Sequence, residues 1–319
     1  MNAVLERPQQ IAEIKIKTNE IIDLAPQILR QRLRMEGNYS IQVDGDTVSR
    51  YLNKLSELLG MEITHGPEIQ NDAEIINPIH KGFEGIMMMS GASTHAYTWE
   101  LGNFFSIDVY SCKSYDMSAI LEFTKMFFEV TRLRYQPTNS RDGTNNLTFD
   151  NNHVEKMAKS NIFDLAPKIL RQRTRIEGTY VIDIRKDTLK KYMVELSEFL
   201  GMHITHGPVI QNDAEIVSNP IHVGFKGVMM WAESGTHAYT WEKEKFFLID
   251  VYSCSLYNTK MVLEFTRNFF QATTIGYEAT HSRNGPNNLT IMPISGIAYM
   301  ENKKIPYVLV RYFFISFHF

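Results

Sequence analysis

The sequence predicts an α+β protein made of two fused copies of one unit, each a β-sheet with helices on one face. The first observation behind this prediction is a long internal repeat. Trp99 and Trp241 lie 142 residues apart, as do Cys112 and Cys254, the only two cysteines. The second is that each copy interleaves segments of period-two alternation with segments of helical spacing. A repeat of about 140 residues is too long for a solenoid and indicates two fused domains.

Composition indicates a soluble globular protein and argues against nucleic acid as a partner. The 319 residues are 44% hydrophobic and 22% charged, with a net charge of −3, which predicts no strongly basic surface. The N-terminus has no apolar core of signal-peptide length, and no stretch reaches the ~18 apolar residues of a membrane span. Two cysteines at equivalent repeat positions do not form a disulfide framework. We therefore expect a cytoplasmic protein without membrane contact.

The repeat sets the expected domain boundaries. A polar N-terminal arm covers residues 1–20 and is followed by the first repeat, 21–148. A polar linker at 149–160 leads to the second repeat, 161–292. An apolar tail, 293–319, has no counterpart in the first repeat.

Each repeat is expected to open with a short helix. The segments 23–26 and 164–167 both read Asp-Leu-Ala-Pro, which offers a helix N-cap and a first-turn proline. First strands are predicted at 36–41 and 177–182, where apolar and polar residues alternate.

Two further helices per repeat follow from apolar residues at helical spacing. The first pair is predicted at 47–59 and 188–200, each stopped by a glycine. The second pair is predicted at 117–128 and 260–270. Between them, buried strands are predicted at 85–89 and 104–109 in the first repeat and at 227–231 and 246–251 in the second.

The most informative stretch is a phrase that occurs in both repeats. In the second it reads Glu233-Ser234-Gly235-Thr236-His237-Ala238-Tyr239-Thr240-Trp241-Glu242, and a strand then ends in Ile-Asp-Val-Tyr-Ser-Cys at Cys254. Ser234 lies seven residues before Trp241, and Cys254 lies thirteen after it. In the first repeat the matching serine position is Ala92, with Ser93 one residue later.

This phrase resembles the signature of the prokaryotic S-adenosylmethionine decarboxylases, which are pyruvoyl enzymes. The resemblance implies that each repeat is an S-adenosylmethionine-decarboxylase-like α/β sandwich. Two such units would form a four-layer pseudo-dimer within one chain. It leaves open whether fused pairs associate again into a homodimer.

The resemblance also implies how the prosthetic group forms. The Ser234 hydroxyl would attack the Glu233 carbonyl to give an ester, and elimination then leaves a dehydroalanine that hydrolyses to a pyruvoyl group. That group would bind the substrate amine and accept the electrons released as CO2 departs, as pyridoxal phosphate does elsewhere. Cys254 would protonate the resulting carbanion. For Cys254 the alternative is a small buried hydrophobe at a strand end.

The chain departs from the family at the processing histidine, whose position is Tyr239. A phenol with an ordinary pKa of ~10 is a poor base at neutral pH. His237 points to the same side of a strand as Tyr239 because side chains alternate, so it could substitute as the base. The alternative is that the pair serves binding or packing, because His95 and Tyr97 repeat it in the unit that lacks the serine. The predicted catalytic residues are therefore Ser234, Cys254, His237 and Tyr239.

Substrate contacts are predicted at Glu36 and Glu177, which precede a glycine at a strand start and suit a cationic substrate, with a solvated glutamate at a strand edge as the alternative. Phe247 is a candidate platform for adenine, with core packing as the alternative. Three histidines recur in register between the repeats, but their spacings match no compact ligand motif, so no metal is predicted.

These residues support three functional hypotheses. The first is a self-cleaving S-adenosylmethionine decarboxylase that serves polyamine synthesis, with the second repeat active and the first a degenerate partner. The second is an unprocessed homologue that binds S-adenosylmethionine or a related amine, as a partner or regulatory subunit. The third keeps the pyruvoyl group but acts on arginine or ornithine.

Overall fold

The computed structural model describes residues 24–71, 78–140, 147–149, 165–212, 223–232, 234–282, 289–292 and 298–299. The predicted arm and almost all of the predicted linker and tail lie outside these residues, as does Glu233. The domain boundaries therefore stay predictions.

The first unit is a seven-stranded antiparallel sheet with two α-helices. Its elements are β1 (Arg30–Asn38), α1 (Gly45–Leu59), β2 (Ile63–Asn71), β3 (Gly82–Met89), β4 (Ala92–Trp99), β5 (Phe104–Ser111), α2 (Met117–Phe127), β6 (Arg132–Ser140) and β7 (Leu147–Phe149). The strands are ordered β2-β3-β4-β5-β1-β6-β7 in the sheet.

The second unit repeats this plan. Its elements are β8 (Arg171–Thr179), α3 (Lys186–Leu200), β9 (Ile204–Asn212), β10 (Phe225–Trp231), β11 (Ser234–Trp241), β12 (Phe246–Ser253), α4 (Thr259–Phe270), β13 (Thr274–Ser282), β14 (Leu289–Met292) and β15 (Ala298–Tyr299). The order is β14-β13-β8-β12-β11-β10-β9, and β15 pairs with β13 outside this path.

One face of each sheet forms a core with its own helices. In the first unit Leu33 and Phe105 from the sheet pack in one apolar cluster with Leu52 of α1. In the second unit the corresponding cluster includes Phe247 of β12 and Leu196 of α3. Alternation along each strand sends every second side chain into this core.

The other faces of the two sheets pack against each other. All eight residues of β5 and all eight of β12 are buried, so these strands are covered on both faces. Apolar clusters that mix residues of both units lie between the sheets, for example Tyr110 with Trp241 and Tyr252 with Trp99. The molecule therefore has four layers, helices–sheet–sheet–helices, which confirms the predicted pseudo-dimer.

The predicted helices after the first strands are confirmed, with the expected ends. Asp44 caps α1 by accepting a 2.8 Å hydrogen bond from the Thr47 amide, which satisfies one of the free N–H groups of the first turn. Gly60 ends α1 in the left-handed conformation with φ 63°, where a glycine has no steric cost. Within the described residues, no helix has the length and apolar character needed to cross a membrane.

The predicted opening helices are wrong. The described residues after 23 and 164 form turns, with the Ile28 amide bonded to the Ala25 carbonyl at 3.0 Å, and strands β1 and β8 follow at Arg30 and Arg171. Each first strand thus begins about six residues earlier than predicted. The extra residues at the start of each strand alternate between arginine and other residues. The arginine face is buried between the sheets instead of meeting solvent, so these residues form strand rather than an exposed loop.

A candidate active site between the sheets

The centre of the inter-sheet layer is a closed group of two arginines and two aspartates. The Arg32 Nε donates to Asp108 Oδ1 at 2.9 Å, and the Arg173 Nε donates to Asp250 Oδ1 at 2.9 Å. Each arginine also donates to the aspartate of the other unit. All four side chains are at most 8% exposed, so this group joins the two units through buried, paired charges.

Electrostatics keep Asp108 ionised. Burial alone would raise the pKa of Asp108, but the charges of Arg173 and Arg32 outweigh burial and hold that pKa well below its ordinary value. An acidic residue inside the apolar phrase Ile-Asp-Val-Tyr is the sequence signal that could have found this group, because such a residue needs a buried partner.

Ser93 of the first unit contacts the predicted base and tyrosine of the second unit. Its Oγ lies 2.6 Å from His237 Nδ1 and also hydrogen-bonds to the Tyr239 hydroxyl. Burial lowers the pKa of His237 to about 4, so the imidazole is neutral at neutral pH. The structure thus confirms that His237 and Tyr239 face the same side. It adds Ser93, which lies one position after Ala92, the residue equivalent to Ser234.

The reciprocal contact in the other half lacks the serine. Gly235 occupies the position equivalent to Ser93, and it faces His95 and Tyr97 of the first unit. A Cβ atom on Gly235 would lie 2.7 Å from His95 Cε1 and 2.8 Å from the Tyr97 hydroxyl oxygen. The two halves of the inter-sheet layer are therefore chemically different, although their histidine and tyrosine pairs are the same.

Ser234 lies on the opposite side of β11. Because side chains alternate, Ser234 points with Ala238 toward the helix layer, whereas His237 and Tyr239 point between the sheets. Its hydroxyl donates to Ser253 Oγ at 3.0 Å, and Ser253 Oγ also accepts the Ser255 amide at 2.8 Å. Ser253 is a contact that sequence reasoning did not identify.

Cys254 follows Ser253 and lies on the inter-sheet side. It is buried in one cluster with Tyr252 of its own unit and with Tyr97 and Trp99 of the first unit. Burial raises the pKa of the Tyr252 phenol well above its ordinary value, and Cys254 adds to that shift. Cys112 has the mirror-image surroundings, Tyr110 and Trp241 among them, so both cysteines contact aromatic residues of the opposite unit.

The predicted substrate carboxylates are paired with arginines. Glu36 forms ion pairs with Arg134 and with Arg171 of the other unit, the latter at 3.4 Å. Burial opposes ionisation of Glu36, but the arginines prevail and lower its pKa to about 2. Glu177 likewise contacts Arg175 and, at 3.6 Å, Arg30. Each of the two carboxylates therefore forms one ion pair within its own unit and one with an arginine of the other unit.

Phe247 lies on the helix side of its sheet, opposite to the layer between the sheets. Its ring stacks on Phe270 of α4 with centroids 4.8 Å apart, inside the helix-side core. This is the position expected from the core-packing alternative.

The inter-sheet layer also contains a lysine that sequence reasoning missed. Lys226 of β10 is 1% exposed, and its Nζ donates to the Met89 carbonyl of the first unit at 2.5 Å. The equivalent residue of the first repeat is Glu84, which is fully buried. Opposite charges at one repeat position are the sequence signal that marks this difference between the halves.

Comparisons with known proteins identify the family. The family model for S-adenosylmethionine decarboxylase matches residues 38–141 and again 183–283, together more than half of the chain. A solved structure that the chain resembles is the crystal structure of the adenosylmethionine decarboxylase from Aquifex aeolicus VF5. That match has 16% identity and a TM-score of 0.28, and it covers 37% of this chain and 94% of the other. No curated protein matches the sequence at a significant level. The chain belongs to the S-adenosylmethionine decarboxylase family, with one family segment in each of its two units.

Proposed function

We propose that the chain is a pyruvoyl-dependent S-adenosylmethionine decarboxylase that cleaves itself between Glu233 and Ser234. The observation that carries this proposal is the set of contacts at the start of β11. There the Ser234 hydroxyl is held by Ser253, the last residue of the neighbouring strand β12, and Cys254 follows directly after that strand. The predicted self-cleaving residue and the predicted proton donor thus lie at the same end of paired strands.

The residues at this end of the sheet suit a prosthetic group made from Ser234. Ser234 is the first residue of its strand and pairs with Ser253, so cleavage before it would leave every pair of β11 with β12 in place. The first unit offers a built-in comparison, because Ala92 occupies the serine position there. Ser111, the equivalent of Ser253, instead donates to the Lys113 carbonyl at 2.9 Å. Only the second unit has two hydroxyl groups in contact at this point.

The pyruvoyl group would supply an electron sink for the carbanion that forms when CO2 leaves an amine substrate. Ser253 positions the Ser234 hydroxyl before cleavage. The Cys254 sulfhydryl returns a proton to the substrate, and Tyr97 and Trp99 of the first unit exclude water around it. His237 is neutral because burial lowers its pKa to about 4, and its Nδ1 lies 2.6 Å from Ser93 Oγ in the layer between the sheets. The product, decarboxylated S-adenosylmethionine, would serve polyamine synthesis.

A second candidate function is an unprocessed homologue that binds S-adenosylmethionine or a related amine. The observation that favours it is the separation of Ser234 from the inter-sheet side. His237 and Tyr239 contact Ser93, whereas Ser234 contacts Ser253 on the helix side. In this case the chain stays intact and acts as a partner or regulatory subunit.

Intact-mass measurement of the purified protein separates the two candidates. Self-cleavage gives two fragments that divide at the Glu233–Ser234 bond, the smaller one with a blocked N-terminus. Ser234→Ala should abolish the fragments, and the matched control Ser111→Ala, which removes a buried serine at the same end of the first unit's sheet, should leave them unchanged. Tyr239→His restores the imidazole of the family and should leave cleavage intact or speed it.

An intact wild-type chain would refute the decarboxylase proposal and leave the binding homologue. Fragments that end before Ser93 instead of Ser234 would move the cleavage to the first unit. Once cleavage is established, CO2 release from S-adenosylmethionine, arginine and ornithine identifies the substrate.

A further inference from the structure

A pair of histidines from the two units meets at the edge of the sheets. His65 lies on β2 and His206 on β9, the edge strands of their sheets. Their Nε2 atoms are 3.1 Å apart. The residues described in the candidate active site lie on other strands, so this pair is a separate feature.

A carboxylate stands beside the two imidazoles. Glu68 Oε1 lies 3.9 Å from His65 Nε2, and one ligand atom from each of Glu68, His65 and His206 fits within a 4.8 Å group. Glu68 is 44% exposed and His65 is 23% exposed, so ions in solution can reach them. In the second repeat the residue equivalent to Glu68 is Val209. At this position only the first repeat supplies a carboxylate beside the two histidines.

Neighbouring hydrogen bonds fix the distance between the two strands. The Thr64 hydroxyl donates to Gln211 Oε1 at 2.7 Å, and Gln211 Nε2 donates to the Thr64 carbonyl at 2.8 Å. Thr64 precedes His65 directly. The histidines are therefore brought together by contacts that do not depend on a bound ion.

The distance between the imidazole nitrogens suits a shared metal ion. Two nitrogens 3.1 Å apart subtend an angle of about 95° at an ion that lies about 2.1 Å from each. This N–metal–N angle lies between the roughly 90° of an octahedral site and the roughly 109° of a tetrahedral site. Glu68 Oε1 lies 3.9 Å from His65 Nε2, so its half-exposed side chain would have to rotate for the carboxylate to join the same shell. Two imidazoles and one carboxylate form a donor set that suits Zn²⁺ and leaves a position for water.

We propose that His65, His206 and Glu68 form a site for a divalent transition-metal ion of the Zn²⁺ class, which links the two units at their edge strands. Sequence spacing could not indicate this site, because its two histidines lie about 140 residues apart and belong to different repeats. The proposal does not depend on pyruvoyl chemistry.

Metal titration of the full, untagged chain tests the site. The protein is stripped with EDTA, dialysed, and titrated with Zn²⁺ by calorimetry and with Co²⁺ by visible absorption. The expected result is one ion per chain, with the visible bands of Co²⁺ bound to imidazole. Thermal unfolding should shift to higher temperature with Zn²⁺, since an ion that binds only the folded state stabilises it.

Variants locate the site. His65→Ala and His206→Ala should each weaken Zn²⁺ binding by at least about tenfold, as loss of a metal contact does. Glu68→Val, which copies the other repeat, should also weaken it. His203→Ala is the matched control, because His203 is exposed and close in sequence to His206, and it should bind like the wild type.

Absence of Zn²⁺ binding by the wild-type chain would overturn the proposal and leave a hydrogen bond between two imidazoles. Undiminished binding by the His65→Ala, His206→Ala double variant would overturn it as well. Unchanged affinity of Glu68→Val would overturn the three-ligand site. The folded state of each variant is checked by its thermal unfolding in EDTA, where all should match the stripped wild type.

Discussion

Replacement of Asp108 by asparagine tests whether the buried arginine–aspartate group holds the two units together. Asp108 accepts hydrogen bonds from Arg32 at 2.9 Å through each carboxylate oxygen, and a further one from Arg173 of the other unit. An asparagine side chain in this place would keep one carbonyl acceptor but lose the charge. Asp250 alone would then face two buried guanidinium groups.

The expected cost follows from burial. Loss of one partner from a buried ion pair leaves an uncompensated charge and costs about 3–5 kcal/mol. Because proteins of this kind are stable by only about 5–15 kcal/mol, Asp108→Asn should remove roughly a fifth or more of the free energy of unfolding. The exposed pair Lys54–Glu57, with side chains 61% and 67% exposed, gives the matched control. There Glu57→Gln should cost less than about 1 kcal/mol.

Urea unfolding, followed by tryptophan fluorescence, measures the difference. All three tryptophans are buried, and two of them, Trp99 and Trp241, lie in the clusters between the sheets, so their emission reports on the inter-sheet layer. The loss caused by Asp108→Asn should be the same at low and at high salt, because solvent ions screen buried charges weakly. A loss no larger than that of Glu57→Gln, or one that disappears in high salt, would refute the structural role assigned to this group.

Two further predictions concern packing and acid stability. Gly235→Ala should destabilise the protein by about 1–3 kcal/mol, because the new methyl group would lie 2.7 Å from the His95 ring. Gly276→Ala, with open space around it, should be neutral or slightly stabilising in the same denaturation assay, and equal effects would contradict the close contact. Glu36 has a pKa lowered to about 2 in the folded state, so its contribution is complete above its unfolded pKa of ~4.3 and disappears as pH falls through 2. Glu36→Gln should therefore be less stable than the wild type at neutral pH, and a stability difference that fails to shrink between about pH 4.5 and 2 would contradict the ion pairs.

Local features of the chain were predictable where the signal is itself local. The helices after the first strands carry apolar residues at helical spacing and end at Gly60 and Gly201, and α1 and α3 match these signals. The opening helix was predicted wrongly because Asp-Leu-Ala-Pro suits a turn as well as a helix start. The beginning of the strand that follows was missed although its residues alternate with period two. The side of the strand that would normally face water carries arginines, and these arginines are buried.

The candidate site was predictable only within one strand at a time. Alternation placed His237 and Tyr239 on the same side of β11, as observed. The same rule puts Ser234 on the other side, and the structure gives its partner, Ser253. The contact with Ser93 was not predictable, because Ser93 lies 144 residues from His237 in the chain.

By itself the sequence determined that the chain contains two copies of one unit, where the two long helices of each copy lie, and which phrase carries the candidate chemistry, since all of these depend on patterns along the chain. Only the tertiary structure decided what fills the layer between the sheets: the Arg32–Asp108 group with its counterparts, and Ser93 against His237. It likewise decided that His65 and His206 meet at the sheet edges. The physical reason is that docking one sheet on the other joins residues about 140 positions apart, and periodicity within a strand contains no information about that contact.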